Sequence, residues 1–326
     1  MIERRVVTDP YRCEKLWKSF IPVRSVSDLW EFRMCFHHFY KNRFRFHVME
    51  EKGNIYGILP LSHIDDLDIM TFFPGETWKN KTWLERTPIY AINHDILYRL
   101  LSDCTERTYL RYIECDAEYL PDQVTSDEIG YVIYPGQFNY DKENYRTRFS
   151  HKKFKSIMRD INTILDMGAS FHINRIEDFE LLVEMSIEQY GADSYLQDTR
   201  FRKSFREIIR FLNQKGCLRM VSMELEGRIM AVDVGAIYNG VYTIFLGGVF
   251  SRVPGLPKAM NMYHIDYALK NRIAKVDFLC GDFNWKKLWH FNEEPLFKVV
   301  SPDLEDTTPM YDSNITDDVT EGIEAC

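Results

Sequence analysis

One segment of the sequence combines features that can hold an anion. An apolar stretch ends at Phe250, and a basic, glycine-containing loop leads from it into a helical pattern: Arg252-Val253-Pro254-Gly255-Leu256-Pro257. Backbone N–H groups at a helix N-terminus attract anions such as a pyrophosphate, and Arg252 and Lys258 would add positive charge there. The alternative is a sharp strand-to-helix turn in which the basic residues are incidental.

A second segment places carboxylates at the end of a predicted buried strand. It reads Val276-Asp277-Phe278-Leu279-Cys280-Gly281-Asp282-Phe283-Asn284-Trp285-Lys286-Lys287. Asp282 follows the strand and a glycine, so we expect it to face a cleft, where burial could raise its pKa and make it a general base. The alternative is that Asp282 caps a turn and that Asp277, within the strand, hydrogen-bonds the backbone. Lys286 is placed to line the same cleft.

The sequence context of two other reactive side chains, Cys280 and His264, indicates structural roles. Cys280 has no histidine near it in the sequence, and a buried cysteine is usually inert. His264 lies in the middle of a helical pattern. Packing or surface exposure is a commoner role for such a histidine than catalysis.

Basic residues crowd the start of a predicted helix over residues 151–167. No acidic residue occurs between Asn144 and Arg159, and Arg148, Lys152 and Lys153 stand in or just before the first turn. The helix macrodipole disfavours cations there, so a phosphorylated ligand would explain them; a solvated helix face is the alternative. A second cluster lies on another predicted helix: Arg200, Arg202, Lys203, Arg206 and Arg210. Together they suggest a nucleotide cofactor or RNA.

The elements that must position these residues are helices and strands in alternating groups. In the second half, apolar spacing predicts helices over 151–167, 176–190, 199–215 and about 258–271. Strands are predicted over 217–223, 228–238, 241–250, 275–280 and 296–300, with turns at Glu226-Gly227 and Asn239-Gly240. In the first half, helices are predicted over 11–20, 27–40 and 93–103, a hairpin over 45–59, strands over 108–115 and 130–134, and irregular structure over 116–129. Ser27 and Asn93 are the predicted N-caps.

Composition places the chain among ordinary globular proteins. Of its 326 residues, 45% are hydrophobic and 28% are charged, and no window approaches the roughly 18 apolar residues of a membrane span. The N-terminus lacks the apolar stretch of a signal peptide.

The seven cysteines show no C-x-x-C pair, so we expect neither a zinc site nor a disulfide framework, but reduced thiols in a cytoplasmic protein. The last 26 residues carry eight acidic and no basic side chains, which leaves 41 of each over residues 1–300.

The second half of the chain resembles the GNAT acyltransferase superfamily, and within it the Fem-type and cellulose-biosynthesis (CelD-like) acetyltransferases. The resemblance covers about residues 141–300. It rests on the basic stretch 148–153, the Glu226–Ala231 hairpin, the Arg252–Gly255 loop and the Val276–Lys286 segment. The last is similar to the signature D-F-x-x-G-x-x-x-Y-K, with Trp285 in place of the tyrosine. Pro257 replaces the last small residue of the donor-loop pattern Q/R-x-x-G-x-G/A.

The resemblance implies an α/β fold of two tandem GNAT-like domains with mixed central sheets flanked by helices. The first, over residues 1–140, would be degenerate, the acyltransferase domain would cover 141–300, and a disordered acidic tail would follow over 301–326. A weak likeness between the hairpins of the two halves, at Glu51–Ile58 and Glu226–Val232, fits this layout.

The implied activity is transfer of an acyl group from acyl-CoA or an acyl-carrier protein to a small-molecule or peptide amine, without a metal. The resemblance assigns donor binding to Gly248, Val249, Arg252, Gly255 and Lys258, with a backbone N–H at Gly247–Val249 stabilising the oxyanion. Asp282, Asp277 and Lys286 would be catalytic, and Arg148, Lys152 and Lys153 would bind a substrate or its phosphate. An aminoacyl-tRNA-dependent Fem-type transferase and a non-catalytic binding protein on a GNAT scaffold are the alternatives.

Overall fold

The computed structural model describes residues 1–79, 81–102, 106–115, 120–250, 253–281 and 284–305. They divide into two units. The first comprises residues 1–129, 203–205 and the described residues from 295 onward, and the second comprises 130–202 and 206–294. Most of the acidic tail, which the sequence predicts to be disordered, lies outside the described residues.

The helices and strands are named here in chain order. Up to residue 133 they are β1 (Glu3–Val7), α1 (Pro10–Phe20), α2 (Trp30–Tyr40), β2 (Arg43–Phe44), β3 (Phe46–Glu51), β4 (Asn54–Leu59), β5 (Leu61–Ile64), β6 (Ile69–Phe72), β7 (Thr77–Trp78), β8 (Lys81–Thr82), β9 (Tyr90–Ala91), α3 (His94–Ser102), β10 (Tyr109–Ile113) and β11 (Thr125–Ile133). From residue 142 they are α4 (Lys142–Arg146), α5 (His151–Asp166), β12 (Ser170–Ile173), α6 (Phe179–Tyr190), α7 (Thr199–Gln214), β13 (Leu218–Leu225), β14 (Arg228–Tyr238), β15 (Val241–Val249), α8 (Leu256–Lys270), β16 (Lys275–Asp277), α9 (Asn284–Leu288), β17 (Asn292–Val300) and α10 (Pro302–Glu305).

Small antiparallel sheets and an aromatic core build the first unit. The sheets have the strand orders β1-β3-β4-β9, β2-β5-β6 and β7-β8. In the core, Trp30 stacks on Phe73 with ring centroids 5.0 Å apart, and Trp17 contacts Phe73 edge-on at 5.7 Å. Burial of such large rings is the main stabilising contribution here. The interrupted sheets agree with the prediction of a degenerate first domain.

A continuous mixed sheet organises the second unit. Its strands lie in the order β11-β16-β15-β14-β13-β12. The β15–β16 pair is parallel and the other neighbours are antiparallel. Helix α8 makes the crossover that a parallel pair requires. Helix α8, against which α5 packs, lies on one face of this sheet and α6 lies on the other, which confirms the predicted α/β architecture.

Two tight turns fix the register of the central strands. Glu226 and Gly227 have φ angles of 52° and 77°, and Asn239 and Gly240 have 49° and 75°. Two consecutive positive φ angles define the type I′ turn, which matches the right-handed twist of a hairpin. Both predicted turns are confirmed.

The structure differs from the sequence predictions at several element ends. Ser27 is not a helix N-cap, because it lies in a short 3-10 turn (Val26–Asp28) and α2 begins at Trp30. Residues 125–129, predicted to be irregular, belong to β11, and the short strand β12 is not predicted at all. Strand β16 ends at Asp277 rather than at residue 280. The Asn93 cap is confirmed, since its Oδ1 accepts the Ile96 N–H at 3.0 Å.

Candidate functional site

Strand β15 has an edge that is open over its second half. Strand β16 pairs with it over Val241–Thr243, whereas β15 continues to Val249. Nothing in the described chain pairs with this edge from Ile244 onward. An unpaired strand edge presents N–H and C=O groups that another extended molecule can bind.

The register shows which amides face this open edge. The Phe250 N–H donates to the Met230 carbonyl on β14 at 3.0 Å. Because N–H directions alternate along a strand, the Gly248 N–H also faces β14, and those of Gly247 and Val249 face the open edge. Of the predicted donor-binding residues, Val249 therefore presents its amide to the opening.

Gly248 has a packing role at this point of the sheet. A Cβ there would lie 2.7 Å from Leu182 Cδ1 and 3.0 Å from Met185 Cβ, both on α6. The glycine thus lets α6 approach the sheet closely. The neighbouring position, Gly247, faces the opposite side of the sheet, because successive residues of a strand alternate between its faces.

The predicted donor loop ends where α8 begins. Gly255 has a φ of 92°, and a Cβ there would lie 2.9 Å from the Asp160 carbonyl oxygen of α5. Both the backbone angle and the close approach therefore require glycine. Lys258, in the first turn of α8, forms an ion pair with Asp160 at 2.5 Å, which neutralises much of its charge. Arg252 lies outside the described residues.

Asp277 and Lys286 shape the turn that follows β16. Asp277 is 5% exposed, and its Oδ1 accepts the N–H of Leu279 at 2.9 Å. Leu279 has a φ of 60°, a conformation that costs free energy outside glycine and needs such support. The structure therefore places Asp277 as the cap of this turn.

Lys286 is buried, with 2% of its surface exposed. Its ammonium donates to the carbonyl oxygens of Phe278, Leu279 and Cys280 at 2.9, 3.0 and 2.6 Å. An ammonium is a donor with no acceptor capacity, and these three carbonyl oxygens all accept from it. The turn is thus built around the Lys286 charge. Asp282, which follows in sequence, lies outside the described residues.

A hydrogen-bonded chain that the sequence analysis missed lies between β14, β15 and α8. The Tyr242 hydroxyl lies 2.7 Å from His264 Nδ1, and His264 Nε2 lies 2.8 Å from Asp233 Oδ2. His264 is 1% exposed, which agrees with the predicted packing role. Its hydrogen bonds with Tyr242 and Asp233 were not predicted. The signal that could have found the chain is a carboxylate, Asp233, inside the apolar strand 229–237.

The two ring nitrogens of His264 join the ends of this hydrogen-bonded chain. An Asp233 carboxylate oxygen accepts the His264 Nε2–H, and Nδ1 of a neutral ring would accept from the Tyr242 hydroxyl. Burial raises the pKa of Tyr242, which keeps that hydroxyl protonated. Arg219 lies beside the hydroxyl end, with its guanidinium 3.2 Å from the Tyr267 ring centroid.

Comparison with known families identifies this unit. Residues 151–287 match the family model described as an acetyltransferase (GNAT) domain. The second unit carries a GNAT domain. The predicted family and the prediction of a GNAT-type enzyme are therefore confirmed. The GNAT fold supports acyl transfer to an amine in general. No curated protein matches the sequence.

Several solved structures share the fold over nearly the whole chain. FemX is 11% identical with a TM-score of 0.56, and the match covers 92% of this chain and 98% of that one. L-PGS from Bacillus licheniformis is 9% identical with a TM-score of 0.55, covering 96% of each chain. The C-terminal domain of a putative lysylphosphatidylglycerol synthetase from Agrobacterium fabrum is 9% identical with a TM-score of 0.53, covering 87% of this chain and 91% of that one. These likenesses show a common fold, consistent with the Fem-like branch.

Exposed cations mark the start of helix α5 in the GNAT domain. Arg148, Lys152, Lys153 and Lys155 are exposed and form no ion pair with any residue that the structure describes. On α7 the second predicted basic cluster is partly neutralised, because Arg206 bonds Glu180 through two nitrogens, at 2.8 and 2.7 Å. The predicted phosphate-binding residues therefore form the more available positive surface, which we call the α5 basic surface: Arg148, Lys152, Lys153 and Lys155.

Three further observations concern the described residues as a whole. None of their helices is long and apolar enough to cross a membrane. No group of three or more His, Cys, Asp or Glu side chains among them is arranged to hold a metal ion. Of the seven cysteines, the five within the described ranges form no disulfide bond.

Proposed function

We propose that this protein is an N-acyltransferase that takes an acyl group from acyl-CoA, or from the same arm on an acyl-carrier protein, and transfers it to a small-molecule or peptide amine. The observation that carries the proposal is the open edge of β15, where the Gly247 and Val249 amides have no strand partner among the described residues. We place the donor along this edge.

The donor suits such an edge chemically. The pantetheine arm of acyl-CoA is extended and carries amide groups, so it can add to a strand edge by backbone hydrogen bonds. Its pyrophosphate would then lie toward the Gly255 turn at the N-terminus of α8, where backbone N–H groups favour an anion. Pro257 stands in the first turn and supplies no N–H. We therefore assign more of the charge recognition to Arg252.

The chemistry follows from placing the donor carbonyl at an amide of the open edge. A hydrogen bond from the Val249 or Gly247 N–H would stabilise the oxyanion that forms when the acceptor nitrogen attacks the carbonyl carbon. Holding donor and acceptor side by side supplies much of the remaining rate enhancement. A base must take one proton from the acceptor amine. Asp282 is the base that the sequence predicts; Asp277 and Lys286 would act on it by holding the turn that precedes it.

A binding experiment tests the donor directly. Coenzyme A and acetyl-CoA should raise the midpoint of thermal unfolding, because a ligand that binds the folded state stabilises it by mass action. Arg252→Glu should weaken coenzyme A binding by roughly 10- to 100-fold in calorimetry, through loss of one charge-assisted contact. Lys41→Glu, an exposed site in the first unit, is the control for net charge. Unchanged affinity in Arg252→Glu would remove this loop from the donor site.

A second candidate is transfer from aminoacyl-tRNA, the donor that the Fem-type resemblance implies. The observation that favours it is the α5 basic surface, which lacks ion-pair partners within the described ranges. Neutralising phosphates releases counterions, so tRNA binding should weaken steeply with salt, whereas coenzyme A binding should have a shallow salt dependence. Absence of tRNA binding at low salt would eliminate this candidate.

A further inference from the structure

The Tyr242–His264–Asp233 chain ends beside the open edge of β15. Asp233 on β14 lies opposite Gly247 on β15. The register makes this a pair without ladder hydrogen bonds, in which the two Cα atoms approach to about 4.5 Å. A Cβ built on Gly247 would overlap Asp233 Oδ1. The carboxylate therefore lies directly over the backbone of a residue whose N–H faces the opening.

The two oxygens of Asp233 differ in their surroundings. Oδ2 accepts the hydrogen bond from His264. Oδ1 makes no hydrogen bond with the described residues, and the side chain is 16% exposed. One oxygen is thus fixed by His264, while the other, over the Gly247 backbone, is not engaged by any described residue.

We propose that Asp233, in place of the Asp282 that the sequence predicts, is the catalytic base that takes a proton from the acceptor's ammonium group, with His264 and Tyr242 as the residues that position it. This inference rests on the proposed function and names the acceptor end of the same site. A carboxylate at this place selects a primary or secondary amine that is cationic in solution, because charge-assisted hydrogen bonds to an ammonium are strong.

His264 itself is not suited to be the base. Both of its ring nitrogens are engaged, Nδ1 with Tyr242 and Nε2 with Asp233, and the ring is buried. Tyr242 is further from the opening, at the other end of the chain. Among the described residues, Arg219 from β13 and Tyr267 from α8 lie at the Tyr242 end of the hydrogen-bonded chain, and the Tyr263 ring of α8 contacts the His264 ring. Of the three hydrogen-bonded groups, Asp233 is therefore the one that an acceptor can reach.

With a thioester donor, the reaction starts from the acceptor in its ammonium form. The acceptor's ammonium gives one proton to Asp233 Oδ1, and its nitrogen forms a C–N bond to the donor carbonyl carbon. The resulting tetrahedral oxyanion collapses and the C–S bond breaks. The thiolate takes the second proton from the nitrogen, so the products are an amide and a thiol, and Asp233 returns its proton to solvent. With an aminoacyl ester as donor, a C–O bond breaks and an alcohol leaves instead.

Asp233→Asn tests the proposal. The amide oxygen can still accept from His264, so the hydrogen bonds from Tyr242 to residue 233 are kept while the carboxylate base is lost. We expect kcat to fall by roughly 10²- to 10⁴-fold with KM for the donor unchanged within about twofold. The assay is thiol release from acetyl-CoA with a panel of primary amines, and release of the amino acid from charged tRNA with the same panel. Asp266→Asn, on the exposed side of α8 in an ion pair with Lys142, is the control and should keep wild-type kcat.

Tyr242→Phe keeps the proposal testable if Asp233→Asn does not fold. It retains the ring packing and removes only the hydroxyl at the far end, so kcat should fall by roughly 3- to 10-fold with donor KM unchanged. If Asp233→Asn folds and keeps the wild-type kcat, the inference is overturned and the proposed function stands. If Asp233→Asn does not fold, a wild-type kcat in Tyr242→Phe overturns the inference in the same way. A wild-type protein that transfers from neither donor to any amine overturns the proposed function itself, and the inference with it.

Discussion

Asp233 Oδ1 lies against the backbone of Gly247, where any side chain would displace it. Gly247→Ala should therefore push the carboxylate away from its hydrogen bond with His264. Overpacking of this kind costs about 1–3 kcal/mol of unfolding free energy. We expect kcat to fall at least about tenfold if Asp233 is the base.

The neighbouring glycine gives the matched comparison for Gly247→Ala. Gly248→Ala also meets a close contact, but with Leu182 and Met185 on the α6 face. Both variants should lose stability in denaturant titrations, whereas the ¹⁵N shifts of the His264 ring should change in Gly247→Ala alone. Identical ring shifts in the two variants would mean that Gly247 does not hold Asp233 in place.

The α5 basic surface predicts a charge effect on nucleic-acid binding. Replacing Lys152 and Lys153 by Glu should weaken tRNA binding and flatten its salt dependence, because two phosphate contacts are lost. The double variant Lys41→Glu/Lys52→Glu changes the net charge equally at exposed sites in the first unit. Equal losses in both variants, measured by filter binding from 50 to 300 mM salt, would point to net charge rather than a site.

The buried ammonium of Lys286 predicts a stability effect. Lys286→Met leaves the carbonyl oxygens of Phe278, Leu279 and Cys280 without their donor, and unsatisfied buried carbonyls are costly. We expect a loss on the order of 3 kcal/mol in chemical denaturation. Lys287→Met changes the adjacent, exposed lysine and should have little effect. A Lys286→Met protein as stable as the wild type would show that the turn needs no cation.

His47 predicts a pH dependence of stability in the first unit. Burial, together with the Arg4 guanidinium, lowers the pKa of His47 from 6.5 to about 4. Above pH 6.5 the ring is neutral whether the chain is folded or unfolded, so the full stability is present. As the pH falls from 6.5 towards 4, the unfolded state binds the proton more readily, and up to about 3 kcal/mol is lost.

The measurement for His47 is the slope of unfolding free energy against pH. His47→Gln should flatten that slope between pH 6.5 and 4 relative to the wild type, because one titrating group is removed. Carboxylates near the ring, such as Glu106, contribute to both proteins. Equal slopes for the wild type and His47→Gln would show that the His47 ring binds its proton equally well in the folded and unfolded states.

Local periodicity was sufficient to predict most of the GNAT domain. Helices α5 and α7 and the hairpins of β13 to β15 follow from apolar spacing and from two glycine turns, because these signals lie within a few residues of one another. The donor loop stood out by its own basic, glycine-containing pattern, whereas residues 278–280, predicted to be strand, lie in the turn after β16. Short or polar elements such as β12 escaped prediction, since tertiary pairing and not local pattern forms them.

The chain that joins Asp233 to Tyr242 could not be predicted in the same way. His264 lies 31 residues from Asp233 and 22 from Tyr242 in the sequence. These groups meet because the crossover helix α8 returns over the sheet, and a helical histidine alone gives no sign of its partners. The burial of Lys286 could not be predicted either, since a lysine is almost never fully buried unless its charge is compensated.

The tryptophans of the two units offer a separate optical signal for each. Four of the six, Trp17, Trp30, Trp78 and Trp83, lie in the first unit, and Trp285 and Trp289 lie in the second, within one helical turn of Lys286. Trp289 is 1% exposed and Trp285 is 39% exposed. With phenylalanine at the four positions of the first unit, fluorescence would report the turn after β16 alone. Emission from Trp285 would then follow ligand binding at this turn without any added label.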